Sequence, residues 1–178
     1  MILVRSKGQM FKSNYTYLAC FDKDGTLVVD SGHVHSLKDF QWHNNGLNLL
    51  KIASQQKAAI VVITNQSGIS KKIFTKKQSV LFAKYLMKKA KKEGIYIRLI
   101  VICPHSQEIN HMVCDCRKPL PGMYLKIKSL SWAKNLKSIM IGNTETDQKF
   151  AINSGIQYLD VNKSDSQKSL TELGNSLL

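Results

Sequence analysis

The 178-residue sequence predicts an α/β fold: a three-layer sandwich with a mostly parallel central sheet and helices on both faces. Three observations carry that expectation. Short apolar runs rich in β-type residues alternate with segments whose apolar residues recur at helical spacing. The runs look like strands covered on both sides, as parallel sheets require. Short polar motifs follow several of them, at the strand ends where such sheets bind ligands.

The elements read in order along the chain. "YLACF" (17–21) is a first buried strand, with "DKDGT" at its C-terminal end. Leu47, Leu49, Leu50, Ile52 and Ala53 are spaced as a helix, and "AIVVIT" (59–64) is the next strand, closed by the turn residues of "NQSG". A lysine-rich helix occupies the region from Lys71 to Lys92. "IYIRLIVI" (95–102) is a third strand, and a long loop follows it. Pro121 suits the first turn of a helix over 123–133, since its fixed φ is compatible with a helix start. "SIMI" leads into "GNTETD", a short helix runs through Ala151, and a last strand lies near "IQYLD". The first sixteen residues and the C-terminal tail receive no assignment.

Composition limits what this fold does. With 43% hydrophobic residues the chain builds one sizeable core, so residues 1–178 read as a single domain, expected to act as a monomer. The longest apolar stretches fall far short of the roughly 20 residues that cross a bilayer as a helix. The N-terminal residues lack a cleavable leader pattern, and a cytoplasmic location without membrane insertion is expected. The net charge of +14, from 26 Lys and Arg against 12 Asp and Glu, favours anionic partners. Nine lysines fall between Lys71 and Lys92, where Phe74, Val80, Leu81, Ala83, Tyr85 and Met87 keep helical intervals. That run reads as the solvated face of an amphipathic helix rather than a nucleic-acid interface, because no zinc-finger spacing or RNA-recognition signature accompanies it.

The polar motifs share one predicted address. Asp22 and Asp24 follow the first strand, Thr64 closes the second, Lys118 follows the third through its loop, and Asn143 and Asp147 follow the fourth. The chemistry this suggests is phosphoryl transfer through an aspartyl-phosphate. One carboxylate attacks phosphorus, and a second, two residues on, protonates the leaving oxygen and later activates water. A hard divalent ion and a lysine absorb the negative charge. Lys23, between the two carboxylates, is expected to point away. "DxDGT" alone is also an ordinary turn signal, and the ordered recurrence of the other groups is what raises it above one.

"FDKDGTL", "VVITNQSGI", "CRKPLPGM" and "IGNTETD" resemble the four motifs of the haloacid dehalogenase-like phosphatases, which have a Rossmann-like fold. More narrowly, the chain is similar to the D-glycero-D-manno-heptose-1,7-bisphosphate 7-phosphatases and their histidinol-phosphate phosphatase relatives over about residues 18–157. The resemblance implies Asp22 as nucleophile, Asp24 as general acid and base, and Thr64 and Lys118 as phosphoryl stabilisers. It implies a magnesium ion held by Asp22, the Asp24 backbone carbonyl and the position of Asn143, with Asp147 supporting that loop. Substrate contacts are implied for Asp30, Ser31, Gly32 and His33 after the first motif, for Asn65, Gln66 and Ser67 after the second, and for Arg117. The implied substrate is a small phosphorylated sugar of cell-surface saccharide synthesis. No large cap domain fits between Asp24 and Thr64. Histidinol phosphate and a 3′-phosphorylated nucleic-acid end remain alternative substrates, and a catalytically weakened, ligand-binding relative is the alternative to an enzyme. That last alternative arises because relatives usually place Asp where this chain has Asn143, and a basic residue where it has Thr144.

The stretch "CPHSQEINHMVCDCRKPLPGM" (103–123) holds three of the four cysteines. Cys103, His105, Cys114 and Cys116 make a C-x-H, eight residues, C-x-C set that suits a tetrahedral, structural zinc ion over residues 103–116. Arg117 and Lys118 are placed to offset the charge of three thiolates. His111 is a spare histidine, which the family pattern ranks behind His105. Cys20, inside the first strand, reads as a small buried core residue.

Overall fold

A computed structural model describes residues 1–6, 14–30, 32, 36–106 and 114–176. Six strands form one sheet in the order β1-β4-β3-β2-β5-β6. They are β1 (Ile2–Arg5), β2 (Leu18–Phe21), β3 (Ala59–Asn65), β4 (Ile97–Cys103), β5 (Ser138–Gly142) and β6 (Gln157–Asp160). Every pairing is parallel except that of edge strand β1 with β4. The helices are α1 (Asn44–Gln55), α2 (Lys76–Lys92), α3 (Gly122–Lys128), α4 (Glu145–Ser154) and α5 (Ser166–Ser176).

The sheet separates two apolar clusters, as the three-layer expectation requires. Ala19 and Phe21 of β2 face the first, with Leu49 and Leu50 of α1 and Phe82 and Leu86 of α2. Leu18 and Cys20 face the second, with Met123 of α3 and Phe150 of α4. Cys20 is fully buried there, as a core residue. The alternation follows from the two-residue period of a strand, and both faces are apolar because both are covered.

Two helix boundaries and two terminal elements differ from the sequence reading. The lysine-rich helix starts at Lys76, not near Lys71, because Thr75 and Gln78 form a capping box at its N-terminus. Residues ahead of it turn, with Lys72 in the left-handed region at φ 56°. The helix expected to reach Ala133 ends at Lys128, where the Ser129 hydroxyl donates to the Lys126 carbonyl and Lys128 Nζ donates to Leu136 O. Strand β1 and helix α5 occupy the unassigned ends. β1 is only four residues long, and its apolar run of Ile2, Leu3 and Val4 is too short to mark a strand by itself.

From β4 the chain returns across the sheet to β5, on the far side of β2. The crevice between the C-terminal ends of β2 and β5 is therefore the topological switch point, where open α/β sheets place their ligands. Among the described residues no helix is long and apolar enough to cross a membrane.

Candidate active site

The polar motifs meet at that crevice. Asp22 leaves β2, and its backbone N–H donates to Ile141 O of β5 at 2.9 Å. Lys118 Nζ donates to Asp22 Oδ1 and Asp147 Oδ1, each at 2.5 Å, so one buried ammonium bridges carboxylates contributed by β2 and α4. Asp147 completes the capping box of α4: its Oδ2 accepts from the Thr144 hydroxyl at 2.7 Å and from the backbone N–H groups of Asn143 and Thr144. The expectation that Asp147 supports the loop thus has a defined geometry, a cap that also reaches Lys118.

Asn143 lies against the turn after Asp24. Its Oδ1 accepts from the Thr26 hydroxyl at 3.0 Å, across the switch point. Gly25 takes φ 74°, and a Cβ there would collide with the Asn143 carboxamide, so only glycine meets both demands.

Lys23, read from the sequence as pointing away from the two carboxylates, stays beside Asp24. Its side chain is buried, with Nζ 2.6 Å from Asp24 Oδ1 and 4.6 Å from the centre of the Phe82 ring. The Lys23–Asp24 contact is an ion pair by distance whose angles fall short of a hydrogen bond. The opposite oxygen, Asp24 Oδ2, accepts from Gln66 Nε2 at 2.7 Å, and the same amide group donates to Thr64 Oγ1 at 3.0 Å. Gln66 thereby links Asp24 to Thr64. Asn65 is likewise committed to the protein: its Nδ2 donates to Lys118 O and its Oδ1 accepts from Lys118 N, both at 3.0 Å. Asn65 and Gln66, for which the resemblance implies substrate contacts, also hold Lys118, Asp24 and Thr64 in place. A purely local signal for this was absent, because Lys118 and Asp24 are 53 and 42 residues away in sequence.

The remaining expected contacts spread outward. Asp30 Oδ1 accepts from Gly32 N at 2.9 Å in an exposed turn, with Gly32 at φ 82°. Ser67 lies half-buried in the turn after Gln66. Ser31 and His33 lie outside the described residues, as does His111. Arg117 is half-buried and donates from Nη1 to His105 O at 2.9 Å, which ties it to the cysteine loop.

Electrostatics single out Asp22. Burial pushes its carboxyl up to about 7, against the attraction of Lys118 and with the help of the Asp147 and Asp24 charges. Lys118 is shifted up as well: burial opposes its charge, and Asp22 and Asp147 together outweigh that. When Asp22, Asp24 and Asp147 are all ionised they face two ammonium groups, Lys23 and Lys118, which leaves one excess negative charge in the crevice. A hard cation beside Asp22 would offset that charge and favour its ionised form.

The second cluster is soft. Cys103 Sγ lies 3.3 Å from Cys116 Sγ and 3.8 Å from Cys114 Sγ, while His105 Nδ1 lies 3.6 and 3.4 Å from Cys103 and Cys116. All four donor atoms fall within 4.8 Å of one another. With Zn–S bonds of about 2.3 Å, a tetrahedron sets its sulfurs about 3.8 Å apart, so these donors fit zinc. No two sulfurs lie at bonding distance, and all four cysteines are free. Burial pushes the Cys103 and Cys116 thiols up and the His105 imidazolium down, so the pocket disfavours bare charge of either sign. Lys118 was expected to offset the thiolates; its position between Asp22 and Asp147 commits it to the catalytic rim instead.

A mostly parallel sheet with two carboxylates after its central strand and a buried lysine from a later loop is the arrangement that the resemblance to the haloacid dehalogenase-like phosphatases implies. The chain belongs to the polynucleotide kinase 3 phosphatase family, whose model matches residues 17–162. It is 32% identical over 139 residues to the D-glycero-beta-D-manno-heptose-1,7-bisphosphate 7-phosphatase of Escherichia coli K12, covering 76% of this chain and 73% of that protein. The enzyme of the same name from Pasteurella multocida is 35% identical over 130 residues, covering 71% and 70%. Among solved structures, a Mesorhizobium loti protein described as HAD-like superposes with a TM-score of 0.85 at 19% identity, over 98% of this chain and 93% of that one. The D,D-heptose 1,7-bisphosphate phosphatase of B. bronchiseptica, complexed with magnesium and phosphate, gives 0.74 at 23% identity, over 90% and 97%.

Proposed function

We propose that this chain is a magnesium-dependent phosphatase that removes the 7-phosphate of D-glycero-D-manno-heptose 1,7-bisphosphate, as a monomer in the cytoplasm. The observation that carries the reading is the joint one: Asp22, Lys118 and Asp147 meet at the switch point, directly after a Cys3His loop, in a chain whose relatives bear that name.

In this reading Asp22 attacks phosphorus in line with the ester oxygen. The P–O ester bond breaks as Asp24, entering as the acid, gives its proton to the leaving alkoxide. Asp24, now a carboxylate, takes a proton from water; that water attacks the phosphoryl group and frees Asp22 and inorganic phosphate. Gln66 sets the direction of the Asp24 carboxyl, and Lys118 and the Thr64 hydroxyl stabilise the phosphoryl oxygens. Asp147 and Asn65 hold Lys118 from its side-chain and main-chain ends. Magnesium, held by Asp22, the Asp24 carbonyl and Asn143, would supply positive charge for the phosphoryl group. In this reading Asp30, Ser31, Gly32, His33, Ser67 and Arg117 contribute contacts to the sugar. Zinc in the Cys3His set would close the loop that carries Lys118.

A phosphate-release panel with magnesium tests this. It contains both heptose bisphosphate anomers, histidinol phosphate and a 3′-phosphorylated oligonucleotide, the last because of the family model's description. Heptose bisphosphate is expected to give the highest kcat/KM. A higher value on the oligonucleotide or on histidinol phosphate overturns the substrate assignment, and no release from any member overturns the enzyme assignment.

A further inference from the structure

Two cavities, of about 330 and 290 Å3, flank Arg5 and Ser6 at the end of edge strand β1, where it passes the start of β4. The rim lies at the other end of β4, seven residues away, or about 20 Å at the rise of a strand.

We infer that this face docks single-stranded nucleic acid. Lys77, Lys84, Lys88 and Lys91 are separated by seven, four and three residues, so they share one stripe of α2 about 21 Å long. All four are exposed, while Phe82, Ala83, Leu86 and Ala90 of the same helix are buried in the core. Folding brings Arg5 beside this stripe: Lys84, Lys88 and Lys91 line the first cavity with Arg5 and Tyr96. Arg98 and Trp132 line the second with the same Arg5. The Arg98 guanidinium is held 4.3 Å from the centre of the Trp132 ring, and its Nη1 donates to the Tyr15 hydroxyl at 3.1 Å. Among the described residues lining the two cavities there are five cations and no carboxylate.

Five cations in adjoining open grooves exceed what one phosphate monoester can neutralise, and they match a chain of phosphates. Exposed Tyr96 supplies a flat face on which an unpaired base settles. An anionic membrane fits less well, because a membrane-surface helix inserts its apolar side, and α2 turns that side into the core. The linear sequence shows the lysines but not Arg5, Tyr96 and Arg98 beside them.

The test uses the full chain and a fluorescent single strand of about twenty nucleotides with hydroxyls at both ends, which offers the rim no monoester. Wild type should bind saturably in anisotropy, more weakly as salt rises from about 50 to 200 mM. The triple variant Lys84→Gln, Lys88→Gln, Lys91→Gln should bind at least about tenfold more weakly, with the log–log salt slope shallower by about 2. Its hydrolysis of a small phosphate ester should remain at the wild-type level. A charge-matched control, Lys149→Gln, Lys163→Gln, Lys168→Gln, should bind like wild type. Equal weakening in both triples makes the attraction diffuse and overturns the assignment. So does the absence of saturable binding by wild type, or saturation on phosphatidylserine vesicles without binding of the strand.

Discussion

The catalytic rim and the cysteine cluster stand two residues apart in sequence, Cys116 beside Lys118, yet they are built on opposite terms. The rim gathers Asp22, Gln66, Lys118 and Asp147 from four distant segments, and its charges are already cross-linked by protein groups. The cysteine cluster draws all four donors from residues 103–116, and its donors face chiefly one another. Sheet topology therefore sets the geometry of the rim, whereas the cysteine cluster depends on what the four donors hold. Damage to the first should appear in turnover, and damage to the second in stability.

The widest separation is expected from Asp22→Asn. Removing the nucleophile should lower kcat at least about 10^4-fold, while the protein stays folded. Its effect on stability even runs the other way. The folded-state pKa of Asp22, about 7, lies above its ordinary 3.8, so the stability linked to its proton is present below about pH 4 and is lost as pH rises through 7. Without added magnesium, wild-type Tm should fall between pH 5 and pH 8 more steeply than that of Asp22→Asn. Parallel slopes would show that Asp22 is not the strained group.

Next in size is Cys116→Ser. Wild-type protein prepared without chelator should carry about one zinc per chain by elemental analysis. The variant should lose it, and its Tm should drop on the order of 10 °C. Retained zinc with unchanged Tm would erase the contrast between the clusters.

Gln66→Leu sharpens the contrast inside the rim. If Gln66 orients Asp24 rather than gripping substrate, kcat should fall about 10- to 100-fold with KM nearly unchanged. A rise in KM at constant kcat would restore it to the substrate contacts. The smallest effect belongs to Asn143→Asp, which adds a charge to a hard-cation site. It should lower the magnesium concentration for half-maximal rate by about three- to tenfold, and an unchanged dependence would remove Asn143 from the metal shell.

How much of this the sequence revealed follows from the same division. The Cys3His set was legible because its spacing is local. Strands β2 to β6 were legible because each is a short apolar run between turn residues, and their order placed Asp22, Thr64, Lys118 and Asp147 at one rim. What escaped was everything fixed by contacts across the sheet. The resemblance implied substrate contacts at Gln66 and Asn65, and nothing nearby in sequence shows their hold on Asp24 and Lys118. Lys23 looked free to turn outward, yet Phe82, 59 residues on, gives its side chain a buried seat. Strand β1 carries too few residues to register a pattern, and its antiparallel pairing with β4 supplies what the pattern lacks.

The central claim, that Asp22 forms a covalent bond to phosphorus, is open to direct chemical capture. Borohydride added during turnover of heptose bisphosphate reduces an aspartyl-phosphate to homoserine, and peptide mass spectrometry locates the change. The account predicts homoserine at position 22, with Asp24 and Asp147 unaltered. Conversion at another carboxylate, or an unmodified Asp22 in enzyme that is releasing phosphate, would contradict it.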